Sequence, residues 1–267
     1  MHKAFVNSLP KSGTNLVIKA LLMMGMREDF YLSAGLVRGR SLASMVRRVL
    51  WHPFGSSYLV GIDTPVPFAR WPIDARLGRL EPGAFGSGHL GYTNVLLDVI
   101  KLLGIRPILM TRDPRAVLVS GVDYVMQQSG HALHKGFRQL DRRQQIELML
   151  AGGPVGSAML RPLRERCMAL QPWFGDPQVL WLKFEDLVGR RGGGDDACQH
   201  RSLSGLAAYL GIDSAVVDEV AAGLWGPGRS TFRQGTTEGW RESIPADMLG
   251  HVTQELRDVL EAWNYPC

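Results

Sequence analysis

The sequence predicts an α/β fold: a mainly parallel central sheet flanked by helices, in three layers. Three observations carry this. Short apolar runs such as Ala4–Val6 and Ile105–Thr111 alternate with segments of helical period. The strand candidates are short and apolar, as strands buried on both faces are. The strand candidates at Ala4–Val6 and Ile105–Thr111 each lead through a turn into a helix start, the order that builds a parallel sheet.

The elements follow in chain order. Ala4–Val6 is a strand, and Pro10 and Gly13 make a turn. From Thr14 a helix carries Leu16, Ala20, Leu21 and Met24 on one face, with Gly25 as its stop. A second helix runs from Tyr92 to Leu103 and closes at Gly104. Ile105–Thr111 is a strand in which Pro107 favours a beginning or an edge. Asp113 as N-cap and Pro114 as first helical residue open a helix with Val117, Leu118, Val122 and Val125. Val179–Lys183 is a third strand. The 189–196 stretch, GRRGGGDD, reads as a flexible surface loop, with a helical pattern resuming at Leu203. Pro245 opens a last helix with Met248, Leu249, Val252, Leu256, Val259 and Trp263 on its apolar side. Residues 27–80, rich in Arg, Gly and Pro, and residues 127–175, helical with few strand signals, read as insertions over the sheet. With no repeat and no clean boundary, residues 1–267 are expected to form a single domain, the insertions facing a substrate.

At 267 residues the chain can bury about three quarters of its unfolded surface without disulfide or metal staples. A content of 45% hydrophobic and 21% charged residues excludes a disordered or fibrous protein. Cys167, Cys198 and Cys267 are widely spaced and odd in number, which suits a reducing cytosol better than a disulfide framework or a zinc site. The first residues, MHKAFVNSLPKSGTN, lack the apolar run of a signal peptide, and no later stretch approaches the ~18 apolar residues of a membrane span. The expectation is a cytoplasmic protein without integral membrane association. A net charge of +5 with no aromatic–basic patch gives no support to nucleic-acid binding.

Between the first strand and helix lies Leu9-Pro10-Lys11-Ser12-Gly13-Thr14-Asn15, the organisation of an anion cradle. Backbone N–H groups of a tight turn and of a helix start converge on one point, where the helix dipole adds partial positive charge. Lys11 supplies a full charge, Ser12 and Thr14 supply hydroxyls, and Gly13 lets the backbone approach a ligand. The loop departs from GxxxxGK[ST]: Pro10 precedes the lysine, and the glycine follows the serine.

PKSGTN resembles the 5′-phosphosulfate loop of the sulfotransferases that use 3′-phosphoadenosine 5′-phosphosulfate (PAPS), which implies cofactor contacts from Lys11 through Asn15. Three further segments follow in the family's order, from Phe5 to about Trp240. Thr111–Ser120 is similar to the family's 3′-phosphate segment. Arg112 leaves a strand end and Ser120 lies two turns into the next helix, so a guanidinium fork and a hydroxyl can meet one phosphate. Arg115, in the first helical turn, has solvation as its alternative. Lys183–Leu187 resembles the family's YEDL segment, with Phe184 in place of the tyrosine: a hydroxyl contact is lost and ring packing is kept. Glu185 and Asp186 read as structural. Phe232-Arg233-Gln234-Gly235, with Gly239-Trp240 beyond, is similar to FRKGxxGxW. This implies Phe232 at the cofactor, Arg233 as a second 3′-phosphate clamp and the Gly235 amide nearby, while Gln234 stands where lysine is usual. Leu16 occupies the position of the family's adenine-stacking aromatic, and Trp225 reads either as its substitute or, as isolated tryptophans more commonly are, as a core residue.

On the acceptor side, Gly86–Gly91 resembles the THLP segment, which implies His89 as the base that deprotonates the acceptor. Ser87 replaces a common lysine, and Gly91 replaces the proline and loosens the turn. His131 and His134 are weaker candidates for acceptor contact. The resemblance implies in-line transfer of a sulfuryl group from PAPS to a hydroxyl or amine, with His89 and Lys11 catalytic, PAP (3′-phosphoadenosine 5′-phosphate) as product and no metal. The Phe, Tyr, Trp and Met content of residues 30–80 and 125–175 suits an aromatic or lipid-like acceptor, and carbohydrate stays open. Two other readings remain: a magnesium-dependent phosphate-loop kinase or NTPase, and a non-catalytic nucleotide-binding protein, for which Ser87, Phe184 and Gln234 leave room. No dimer motif is visible near the C-terminus, so the oligomeric state is open.

Overall fold

The computed structural model describes residues 1–38, 41–226 and 236–266. Its strands are β1 (Lys3–Ser8), β2 (Arg27–Leu32), the hairpin β3 (Ser57–Val60) and β4 (Val66–Ala69), β5 (Ala84–Gly88), β6 (Ile105–Thr111), the hairpin β7 (Gly153–Val155) and β8 (Ala158–Leu160), and β9 (Leu180–Lys183). Five of them form the central sheet in the order β2-β5-β1-β6-β9, with every pairing parallel. The chain starts in the middle of this sheet, runs to the β2 edge, returns to place β5 beside β1 and then crosses to β6 and β9 on the other side. The switch point therefore lies beside β1, and the crevice outside the carboxyl ends of the strands there is where open α/β sheets bind ligands.

Alternation along the strands divides the core between the two faces. Phe5 and Leu109 face a layer that includes the helices Asn94–Leu102 and Pro114–Gln127 and the C-terminal helices. Ala4, Val6, Ile108 and Met110 face Thr14–Met23, Asp196–Leu210 and Val217–Leu224. The predicted three-layer α/β class is therefore observed.

The predicted punctuation largely holds. Gly25 and Gly104 follow their helices at φ 85° and 65°. The Asp113 carboxylate accepts from the Arg115 N–H at 2.8 Å, with Pro114 as the first helical residue. Three expectations need correction. Arg27–Leu32, read as the start of an insertion, is the edge strand of the sheet; Arg27, Asp29 and Tyr31 alternate outward to solvent, as an edge allows. Pro107 sits in the central strand β6. Its carbonyl accepts from the Tyr209 hydroxyl at 3.0 Å, on the side where pairing with β9 begins only at Ile108, so the missing N–H costs no rung. The glycine stretch 189–196 is packed rather than loose: a Cβ at Gly192 would lie 2.6 Å from the Trp225 ring, and one at Gly194 would lie 2.6 Å from the Glu185 carbonyl oxygen. No described helix is long and apolar enough to cross a membrane.

Candidate active site

The loop after β1 turns through Lys11, which holds a left-handed φ of 71°; Asn264 is the only other described non-glycine residue with positive φ. Such strain concentrates at functional loops. Gly13 is the N-cap of Thr14–Met23 at φ 96°, with no side-chain cap and no acidic residue in the first turn. The helix thus presents its positive end uncompensated. Gly13 serves the loop differently from the expectation: its Cβ direction points into protein, 2.7 Å from Phe184 Cδ2 and 2.8 Å from Met110 Cε, so glycine is required for packing beneath the loop. The Lys11 ammonium lies 4.2 Å from the centre of the Tyr124 ring. Thr14 Oγ1 is 2.6 Å from Ser8 Oγ. Ser12, expected to offer a hydroxyl, is fully buried, and its Oγ has no hydrogen-bond partner among the described residues.

His89 follows the end of β5. Its Nδ1 lies 2.8 Å from the Ser8 carbonyl oxygen, which can only accept, so Nδ1 carries the proton and Nε2 keeps its lone pair. Burial pushes the imidazole below its ordinary value; the Ser8 hydrogen bond and Asp63 oppose this, and Lys11 adds to it. The Tyr31 ring packs edge-on against it at 5.6 Å. The next residue is pinned, contrary to the loosening expected from Gly91: Asn7 Nδ2 donates to the Leu90 carbonyl at 2.8 Å, and the Leu90 N–H donates to Asn7 Oδ1 at 2.9 Å. Ser87, in place of a lysine, donates to Glu28 Oε1 at 3.2 Å.

Arg112 leaves the end of β6 and Phe184 the end of β9. The guanidinium lies over the Phe184 ring at 4.3 Å, a cation–π platform that accounts for an aromatic at this position. Nη2 donates to the Thr236 carbonyl at 2.9 Å, while the buried Nε has no partner among the described residues. Burial pushes the group below its ordinary value, opposed by the fields of Glu185 and Asp113. Neither carboxylate pairs with it. Asp113 pairs with Arg115 at 2.8 Å, and Glu185 accepts from the Asp113 N–H at 3.0 Å and the Tyr265 hydroxyl at 2.8 Å. Arg115 is therefore structural, and not solvated: it is buried, chelated by Asp113 and stacked 4.2 Å from the Trp240 ring. Glu185 has the expected structural role.

One cleft of about 2160 Å³ at the carboxyl edge of the sheet is lined by Lys11, Gly13, Thr14, Asn15, His89, Arg112, Ser120 and Phe184. Ser12 is absent from its wall. Trp225 lines it too, against the packed Gly192. The expected cofactor residues Phe232, Arg233 and Gly235, with Gln234, lie outside the described residues.

No protein-family model matches the chain, and no curated protein matches it in sequence. Solved structures match in shape. Mouse sulfotransferase SULT7A1 complexed with PAP aligns with a TM-score of 0.62 at 14% identity, covering 97% of this chain and 84% of that one. Retinol dehydratase in complex with androsterone and inactive cofactor PAP gives 0.57 at 15%, covering 97% and 80%. Retinol dehydratase with retinol and PAP gives 0.56 at 16%, covering 97% and 81%. The fold is the sulfotransferase fold.

In this sulfotransferase fold both inserted regions reach the cleft, through Ser33, Asp63, His131 and Met149 among others, beside Tyr31 of β2. Most of the aromatic residues that suggested an aromatic or lipid-like acceptor do not: Trp51, Tyr58, Phe68 and Trp173 belong to the core. Asp63, which sequence reasoning missed, pairs with buried Arg166 at 3.1 Å. The Tyr31 phenol is pushed up to about 12 by burial and by Tyr124, Asp63 and Glu28. Of the weaker histidines, His131 lines the cleft, whereas His134 is taken up by the Val125 carbonyl at 2.9 Å and does not.

Proposed function

We propose that the protein is a PAPS-dependent sulfotransferase acting on a hydroxyl or amine of a polar small molecule. The observation that carries this reading is Arg112: a half-buried guanidinium whose buried Nε is unpartnered and which has no carboxylate partner among the described residues, on the wall of the same cleft as the Lys11 loop. A buried charge without a counter-ion is costly, and a ligand phosphate relieves it. Lys11 and the uncapped helix start serve one anionic group, and Arg112 with Ser120 serves a second. That separation suits a nucleotide phosphorylated at two positions, the class of the PAP found in the structural neighbours. Trp225 on the same wall is the proposed adenine platform, and Arg233 is proposed as a further clamp from sequence.

When bound, PAPS supplies the sulfuryl group: an acceptor O–S or N–S bond forms as the bridging S–O bond breaks and PAP leaves. His89 is poised to take the acceptor proton at Nε2, since Ser8 holds the proton at Nδ1 and burial keeps the ring neutral. Lys11 and the loop amides face the charge that grows on the departing phosphate. Asp63 and Tyr31 lie on the acceptor side, where a second polar group of the acceptor meets them. That both insertions border one cleft supports a single-domain reading, and buried, unpaired Cys167 is in keeping with a cytoplasmic setting.

Calorimetric titration of PAP, AMP and ATP without magnesium tests the proposal. Clear preference for PAP is expected. Equal affinity for PAP and AMP overturns it, and magnesium-dependent preference for ATP transfers the site to the kinase reading.

A further inference from the structure

The helix Leu42–Leu50 carries large apolar residues at i, i+3, i+4, i+7 and i+8: Leu42, Met45, Val46, Val49 and Leu50. This is the stripe that a surface helix ordinarily turns to the core. Here it faces outward, from 48% exposed at Val46 to 77% at Leu42, and Phe54 just beyond is 91% exposed. A contiguous apolar surface of this kind marks an interaction face.

Charge distinguishes among its partners. Residues 38–79 contain seven arginines, no lysine, and only Asp63 and Asp74 as acids, so this segment has a formal charge equal to the +5 of the whole chain. Asp63 is held by Arg166, and Asp74 by Tyr58 and Arg70. The Arg47 and Arg76 guanidinium groups converge on the Trp51 ring, at 5.8 and 4.6 Å. Burial, and then the like charges of Arg47 and Arg79, push Arg76 below its ordinary value against the smaller opposing field of Asp29, so cations predominate on this flank. A two-fold contact with a second copy would set these arginines against their own counterparts. An anionic surface complements them.

We propose that this face docks the protein on an anionic lipid bilayer, the Leu42–Leu50 stripe and Phe54 entering the headgroup boundary and Arg47, Arg76 and Arg79 meeting lipid phosphates. The binding is peripheral. The docking helix packs on Gly35–Arg38, and Arg48 Nε donates to the Val37 carbonyl at 3.1 Å; Ala34 and Gly35 line the cleft. The membrane face thus adjoins the cleft on its inserted side. The inference does not depend on the reaction assigned to that cleft.

Vesicle flotation of the full chain is the test, with phosphatidylcholine alone and with phosphatidylcholine plus phosphatidylglycerol. The protein is expected to float with the anionic vesicles only, and less as salt rises. Val46→Glu with Val49→Glu, and separately Arg47→Glu with Arg79→Glu, are each expected to weaken binding roughly tenfold or more. Leu42→Ser with Val49→Ser provides a milder apolar variant should the glutamates disturb folding, which circular dichroism reports. Absence of flotation, or flotation unchanged in these variants, overturns the proposal. So does a lipid-free dimer that Val49→Glu dissociates, since the face would then belong to a second copy.

Discussion

His89 Nδ1 lies 2.8 Å from the carbonyl oxygen of Ser8, so the end of β1 sets the tautomer of the residue that follows β5. Backbone geometry thereby decides which nitrogen faces chemistry, with no carboxylate partner needed to orient the ring.

A pH dependence follows from this burial. Since the folded protein disfavours the imidazolium, transfer is expected to stay flat through neutrality and to fall only at acid pH, below the ordinary value of ~6.5. Stability runs in the same direction. The unfolded chain takes up the proton near ~6.5 while the fold resists it, so stability is full above that pH and declines below it, by up to about 1.4 kcal/mol per pH unit. Denaturant melts from pH 5 to 8 check this, and His89→Gln should flatten the slope attributable to the residue.

Arg112→Met is expected to separate binding from stability. Affinity for PAP should fall about a hundredfold while AMP is little affected, because a charge-assisted contact to the extra phosphate is lost. The ligand-free protein should change by less than about 1 kcal/mol, because removing a largely desolvated charge with no direct carboxylate partner offsets the lost hydrogen bonds. Calorimetry and urea unfolding read the two effects independently.

Gly13→Ala should destabilise by about 2–4 kcal/mol, from a left-handed backbone and from overlap with Phe184 and Met110. Unfolding midpoints give the loss. A variant as stable as the parent would mean that the loop does not press on Phe184 as described.

Asn7→Ala removes both hydrogen bonds to Leu90 and leaves a buried N–H and C=O unsatisfied, at a cost of about 1–3 kcal/mol. Displacement of the adjacent His89 should lower kcat more than it changes KM for the acceptor, with partial recovery in Asn7→Asp. Steady-state kinetics with an identified acceptor measure the split.

Much of this was legible in the sequence because it rests on local rules. The β6 strand reads off its apolar run, and the next helix off Asp113 and Pro114. The loop reads off its lysine, hydroxyls and glycine between a strand and a helix. Features that depend on distant partners were not legible. Arg27–Leu32 runs three charged residues into three apolar ones, with no strand alternation, and becomes a strand only because β5 lies beside it. Pro107 is tolerated because pairing with β9 begins only at Ile108, and its own carbonyl is taken by Tyr209, 102 residues away. Asn7 and Asp63 had no motif around them, and Arg115 gave no sign that Asp113 and Trp240 would enclose it. The stripe on Leu42–Leu50, capped by Ser41, went unread inside the Arg-, Gly- and Pro-rich 27–80 segment, and nothing local indicated that it would face outward.

His89, the Lys11 loop, Arg112 and Phe184 hang from β5, β1, β6 and β9, four neighbours in one hydrogen-bonded ladder. Their lateral order is thus ruled off in steps of about 4.8 Å by main-chain pairing rather than by side chains. Changes in the outer segments can therefore reshape the lining of the cleft while the gauge among these four positions stays fixed.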